Sequence, residues 1–340
     1  MIKKSMFALT LPLLALIATT NIAHANDPPD APVQVYLPII ANGSPPDSRF
    51  GVNGVSTDSQ TLGFPVHDRY VLSWPEYPLS DDEADQMSVY RIDHADRGMS
   101  RNVSTWCLTT FKIAGRPNYC DDTTNEGWVD EPGFRQFILS HPGKTWIVGN
   151  EPITPIPAGM RSILPEEYAT WYHTAYYFIK GIDPSAKVGM YGMCMAPIER
   201  EFTMQVWSAY RELYGETFPT DFIAMHRGTM PNEWTSYGLQ GEIDLHTERV
   251  SWFDARRGID WAGPREYWLT EYGMPARRTP IGEAMALEYM LEVTTWLKSQ
   301  SDLTQWAWWP SGSQYWEENT RLVEDGKPTK LGELYIKLAK

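Results

Sequence analysis

Thr145-Trp146-Ile147-Val148-Gly149-Asn150-Glu151-Pro152 is an apolar run that ends abruptly in Asn-Glu-Pro. It shows no apolar/polar alternation, as expected of a strand covered on both faces. Pro152 cannot donate to a ladder, so the strand stops there and Glu151 is left at its rim. Downstream, Pro165–Ile182 reads as a helix with Pro165 in the first turn, and Lys187–Tyr191 as the next strand. The same alternation extends in both directions. Further strands are expected at Arg49–Val52, Tyr70–Trp74, Val89–Asp93, Trp106–Phe111, Asp221–His226, Glu266–Thr270 and Thr304–Trp309, and a second clear helix at Gly282–Lys298. Strand and helix alternating over nearly 300 residues, without a dinucleotide fingerprint, predict an α/β fold: a single (β/α)8 TIM barrel over 49–340.

In such a barrel the carboxyl ends of the strands form the catalytic face. A second acid stands there, Glu271 in Tyr267-Trp268-Leu269-Thr270-Glu271-Tyr272-Gly273, where Gly273 permits a sharp turn. Two carboxyl groups at strand ends suit glycosidic bond cleavage. One acid protonates the departing oxygen while the other carboxylate attacks or stabilises the oxocarbenium-like centre.

Asn-Glu-Pro at one strand end and Thr-Glu-Tyr-Gly at a later one resemble the fourth- and seventh-strand motifs of the clan A glycoside hydrolases, (β/α)8 enzymes that retain anomeric configuration. The 120 positions between Glu151 and Glu271 leave room for three βα units. Asp221-Phe222-Ile223-Ala224-Met225-His226 is similar to the sixth-strand element that carries an active-site His or Tyr, and Trp306-Ala307-Trp308-Trp309 to the eighth-strand Trp element. Gly149-Asn150-Glu151-Pro152 and Tyr168-Ala169-Thr170-Trp171-Tyr172-His173 also resemble bacterial secreted glycosyl hydrolases, from which the chain departs in turning early after His226, at Arg227-Gly228-Thr229-Met230-Pro231. The resemblance implies Glu151 as general acid/base, Glu271 as nucleophile and Asn150 as partner of the sugar 2-hydroxyl. His226 or Tyr272 would orient Glu271, Trp308 or Trp309 would floor a sugar subsite, and Arg91 would assist from an early strand. It implies no cofactor, no metal and a carbohydrate substrate, and a monomer is expected.

Composition agrees with a globular chain: 340 residues, 42% hydrophobic and 21% charged. The net charge of −14 repels phosphate backbones and anionic lipid, so no nucleic-acid partner is expected. It also argues against polyanionic substrates and for a neutral glycan. The 15 Trp, 18 Tyr and 11 Phe are more flat apolar surface than a core needs, which suits a sugar ring as ligand. Lys3 and Lys4, the apolar run Met6 to Ala18 and Ala23-His24-Ala25 form a signal peptide, residues 1–25, cleaved after Ala25. Its loss takes the charge to −16 and predicts a secreted protein. No other stretch looks transmembrane. Residues 26–48, rich in Pro, Asp and Asn, read as an extended linker.

Plainer readings stand beside these. Each glutamate taken singly suits a helix cap or an ion pair, and His226 a neutral core histidine. His246 and Glu248 do not share a helical face in the HExxH manner, so with His226 they read as a solvated loop rather than a metal site. Asp81-Asp82-Glu83-Ala84-Asp85 reads as a solvated helix start or loop, lacking the spaced oxygens of a calcium loop. Of three cysteines, Cys107 and Cys120 are the expected bridge in an exported chain, leaving Cys194 as a buried thiol. No CxxC spacing suggests zinc. A non-catalytic carbohydrate-binding barrel on the cell surface and a tethered scaffold are the rival functions.

Overall fold

The computed structural model describes residues 49–52, 89–94, 111–113, 128–129, 131–153, 163–275, 279–309 and 321–340. The signal peptide, the linker, the strand expected at Tyr70–Trp74, the acidic run 81–85 and the pair Cys107 and Cys120 lie outside them.

In chain order the strands are β1 (Phe50–Val52), β2 (Val89–His94), β3 (Phe111–Ile113), β4 (Trp128–Val129), β5 (Thr145–Asn150), β6 (Lys187–Gly192), β7 (Phe218–Pro219), β8 (Ile223–Gly228), β9 (Trp261–Ala262), β10 (Tyr267–Gly273), β11 (Leu303–Trp308), β12 (Val323–Glu324) and β13 (Lys327–Pro328). The helices are α1 (Glu131–Ser140), α2 (Pro165–Ile182), α3 (Pro197–Tyr214), α4 (Pro231–Asp254), α5 (Pro280–Ser299) and α6 (Lys330–Ala339). The expected bounds of α2 are reproduced, α5 is longer than expected, and α1, α3, α4 and α6 are helices that the sequence pattern had not marked.

Strands β2, β5 and β6 pair in parallel, as do β8, β10, β11 and β1. A parallel bridge, Gly189 to Phe222, joins the two groups. Seven parallel strands among the described residues thus follow one another in the order β2-β5-β6-β8-β10-β11-β1, with β1 beside β11, the last of this series in chain order. Between β1 and β2 lie residues 53–88, outside the described set. The outer edge of β2 is met by β3, which runs antiparallel to it and to β4. Of the strand expected at Trp106–Phe111 only Phe111, the first residue of β3, lies among the described residues.

Four helices that follow strands start with one local device. Pro165, Pro197, Pro231 and Pro280 occupy the first turn, where no intrahelical N–H partner is needed. In three of them a glutamate one turn in reaches back to a preceding amide: Glu167 to Leu164 N at 3.0 Å, Glu199 to Ala196 N at 2.8 Å and Glu233 to Met230 N at 2.9 Å. Thr279 does the same service for α5, accepting from Gly282 N at 3.0 Å. His246 and Glu248, expected in a loop, lie on α4.

The two faces of the sheet bury different sets. Outward residues such as Trp146, Val148, Ile223, Met225, Leu269, Trp306 and Trp308 join the helices in the main core. Inward, Ile147, Phe222, Ala224 and Trp268 form a separate small cluster, with the Phe222 and Trp268 rings stacked at 4.3 Å. Gly189 leaves room for that stack, since a Cβ there would fall 2.4 Å from the Phe222 ring. Among the described residues no helix is long and apolar enough to cross a membrane.

Candidate active site

Four side chains meet just past the inner cluster, at the carboxyl ends of β5, β6, β8 and β10. Glu151 follows β5. Its backbone is in the left-handed region, φ +37°, as is that of Gly149 at +86°. For a glutamate that conformation costs roughly 1–3 kcal/mol, and such strain is held only where the surroundings over-determine it. Here Pro152 is buried behind it and the Glu151 amide donates to the Gly192 carbonyl of β6 at 3.1 Å. Gly149 cannot be larger without crowding the Trp171 ring, 3.1 Å from a notional Cβ.

His226, on β8, directs Nδ1 to Glu151 Oε1 at 2.9 Å and to Glu271 Oε2 at 3.6 Å. Its ring is almost wholly buried, while Glu151 and Glu271 keep 21% and 11% of their side chains open, so the carboxylates and not the imidazole face solvent. Gly192 makes room for the ring: a Cβ there would lie 2.1 Å from Nε2. Burial alone would lower the His226 pKa, but the Glu271 charge, with Cys194 and Glu151 as hydrogen-bond partners, outweighs it and holds the pKa well above the ordinary 6.5. The ring is thus favoured in its protonated form where it lies between the two carboxyl groups.

Glu271 reaches this position through a β-bulge. Leu269 pairs with Met225 and then Glu271 with His226, so Thr270 is the extra residue on β10. Without it Glu271 would share the outward face with Leu269. The same bulge sends the next residue outward: Tyr272 is fully buried and hydrogen-bonds Thr294 of α5 at 3.0 Å. Tyr272 therefore cannot orient Glu271 from within the cleft. Trp308 also departs from expectation. It pairs with Tyr272 on the neighbouring strand and packs edge-on to its ring at 5.2 Å and against Tyr289 and Tyr335, in the helix layer. It floors no sugar subsite. Trp309, one residue beyond β11, is half-buried and donates its amide to the Tyr272 carbonyl at 2.9 Å. Asn150 is buried at the end of β5, level with Gly192. Arg91 sits on β2 in register with Ile147.

The fourth member was missed. Cys194, two residues past β6, is exposed rather than buried, and its thiol donates to Glu151 Oε1 at 3.6 Å. Close packing around Sγ raises the thiol pKa against the pull of His226. Arg249 of α4 lies behind this group. Its guanidinium donates to the His226 carbonyl at 2.9 Å and also to the Cys194 carbonyl, tying β8 to the segment after β6. Burial, with Arg227 nearby, lowers the Arg249 pKa to about 10, so it remains charged at neutral pH. The atoms that could hold a metal are those of Glu151, Cys194 and His226, within 4.8 Å of one another. No spacing rule along the chain would find residues brought together from three strand ends.

Residues 219–335 match the family described as Glycosyl hydrolase catalytic core, a span that takes in His226 and Glu271 and begins after Glu151. No curated protein sequence matches the chain. Among solved structures, a GH128 (subgroup II) endo-β-1,3-glucanase from Pseudomonas viridiflava is 18% identical, with a TM-score of 0.54 over 85% of this chain and 97% of its own. A GH128 (subgroup III) curdlan-specific exo-β-1,3-glucanase from Blastomyces gilchristii is 16% identical, with a TM-score of 0.54 over 86% and 99%. A GH128 (subgroup I) endo-β-1,3-glucanase from Amycolatopsis mediterranei, in complex with laminaritriose, is 15% identical with a TM-score of 0.50 over 86% and 99%. At these identities the structures share a fold with this chain. Together with the family match, they support a glycoside hydrolase.

Proposed function

We propose that the chain is a secreted retaining glycoside hydrolase that cleaves β-1,3-linked neutral glucan, with Glu151 as acid/base and Glu271 as nucleophile. The observation that carries the reading is the convergence of both carboxylates on one nitrogen, His226 Nδ1, at 2.9 and 3.6 Å. Two carboxyl groups so held suit the about 5–5.5 Å spacing of retaining enzymes better than the about 6.5–9.5 Å that an inverting enzyme needs to admit a water. The linkage comes from the structural neighbours, and secretion from the amino-terminal signal pattern. The reading includes a (β/α)8 barrel and a monomeric catalytic unit over 49–340.

In the first step Glu271 attacks the anomeric carbon while a proton passes from Glu151 to the departing oxygen. His226 Nδ1, 2.9 Å from Glu151 Oε1 and 3.6 Å from Glu271 Oε2, positions both carboxyl groups for these roles. In the second step Glu151 takes a proton from water, whose oxygen displaces Glu271 from the sugar. Asn150, at the same strand end, binds the 2-hydroxyl.

Reducing-sugar release from linear β-1,3-glucan, beside β-1,4-glucan, mannan and xylan, tests this with Glu151→Gln and Glu271→Gln. Release from the β-1,3-glucan alone is expected, with kcat reduced about 10²–10⁴-fold in Glu151→Gln and at least as much in Glu271→Gln. Azide should restore turnover to Glu151→Gln on an activated aryl glucoside and yield the β-configured glycosyl azide. An α-configured product, or full activity in either variant, would remove these roles. Glucan binding without release by folded wild type would instead support the carbohydrate-binding rival.

A further inference from the structure

Three strand ends deliver a carboxylate oxygen, a thiol sulfur and an imidazole nitrogen to one point: Glu151 Oε1, Cys194 Sγ and His226 Nδ1 all lie within 4.8 Å of one another. We infer that these side chains form a reversible site for a thiophilic divalent cation of the zinc class, and that filling it blocks turnover. The binding stands on the geometry alone, and only the block rests on the reading of Glu151 as acid/base.

The donor set selects the cation. One sulfur, one nitrogen and one oxygen suit borderline-soft Zn²⁺ in a tetrahedron completed by water, whereas Ca²⁺ and Mg²⁺ require six or more, mostly oxygen, ligands. Metal–ligand lengths of about 2.0 Å to N and O and 2.3 Å to S separate tetrahedral donors by roughly 3.3–3.6 Å. The Sγ to Oε1 distance is already 3.6 Å. The Nδ1 to Oε1 distance of 2.9 Å must open by a few tenths of an ångström, which rotation of the part-open Glu151 side chain supplies. Access is from solvent past the exposed Cys194, with His226 as the buried wall.

The scaffold behind the donors is fixed at two of three points, because Arg249 holds the carbonyls of both Cys194 and His226. The His226 ring is oriented differently from an ordinary ligating histidine. Its Nε2 is buried with no hydrogen-bond partner, so the orientation is imposed by close packing rather than by the outer hydrogen bond that strengthens dedicated zinc sites. That makes the site reversible rather than structural. Coordination releases the Cys194 thiol proton and the His226 Nδ1 proton to solvent, and the Glu151 oxygen that should deliver a proton to substrate becomes a metal ligand.

The test is calorimetric titration of ZnCl2 into the full chain and into Cys194→Ala, with MgCl2 as the comparison cation and thermal unfolding to show that both proteins are folded. Binding of one Zn²⁺ per chain is expected in wild type, at least about tenfold weaker in Cys194→Ala, with no Mg²⁺ binding. In the glucan assay the ratio of rates without and with Zn²⁺ should be large for wild type, fall toward unity in Cys194→Ala, and return to unity on adding EDTA. Equal Zn²⁺ affinity in the two proteins, or none in wild type, would overturn the site. Zn²⁺ binding that depends on Cys194 in a chain that hydrolyses no glucan would keep the site and refute only the hydrolase reading.

Discussion

Strand β8 carries ionisable groups on both faces, and the two faces treat a histidine in opposite ways. On the inner face His226 is enclosed, yet its pKa is held well above the ordinary value by the two glutamates that share its Nδ1. On the outer side His246, on α4, is driven down to about 4: burial acts first, the Asp302 charge opposes it, and the guanidinium charges of Arg249 and Arg265 add to the lowering. Its ring meets Trp296 edge-on at 5.3 Å, and Nε2 has no hydrogen-bond partner. Desolvation has the same sign at both sites. Facing carboxyl groups overcome that penalty at His226, whereas at His246 it prevails, so the two pKa values move in opposite directions.

The outer face holds its charges in closed pairs. Arg227 makes two bonds of 3.0 Å to Glu242, which also accepts from Thr229 at 2.8 Å. Arg249→Met should break the separation most severely, since it leaves the carbonyls of Cys194 and His226 without their donor. A loss of about 3–5 kcal/mol is expected in urea unfolding, with kcat falling further than the remaining folded fraction explains. Gly192→Ala acts from the inner side alone. Its Cβ would meet His226 Nε2 at 2.1 Å, so the ring must move off Glu151, at a cost of about 1–3 kcal/mol and a drop in kcat with little change in glucan affinity.

The smallest effects are in the pH dependence of stability, where the two histidines separate by sign. The raised folded-state pKa of His226 means that its contribution is whole below pH 6.5 and is lost as pH rises through the folded-state value. The lowered pKa of His246 means that the unfolded chain takes up a proton the folded chain refuses, so stability falls as pH drops from 6.5 toward 4. Urea midpoints measured across pH 4–9 should show His226→Gln flattening the alkaline side and His246→Phe the acid side. Identical pH profiles for the two variants would refute the contrast.

What the sequence could show of all this was local. Pro152 after Glu151, and the first-turn Pro165, are read directly from neighbouring residues, and the strand end and the start of α2 lie where those residues put them. Simple alternation failed at β10, because counting by twos from Trp268 puts Tyr272 inside and Glu271 outside, and the bulge at Thr270 exchanges them. Trp308 was misread with Tyr272, its partner in register. Helix α4 was hidden by Gly238, whose φ of 54° and ψ of −154° kink it and turn its apolar stripe part-way along. Cys194 and Arg249 were beyond any local reading. They meet only after β6, β8 and α4 have packed, and the one trace in the sequence was an unassigned cysteine soon after an apolar strand.

The stacked rings of Phe222 and Trp268 have a bearing on how the reaction is served. With Ile147 and Ala224 they place a layer of carbon directly beneath the carboxylates, and carbon neither conducts protons nor passes a sugar. Among the described residues this layer backs the carboxyl groups, so on the proposed hydrolase reading they are served from the strand ends, like a well rather than a tunnel, and turnover would be paced by clearance on that side.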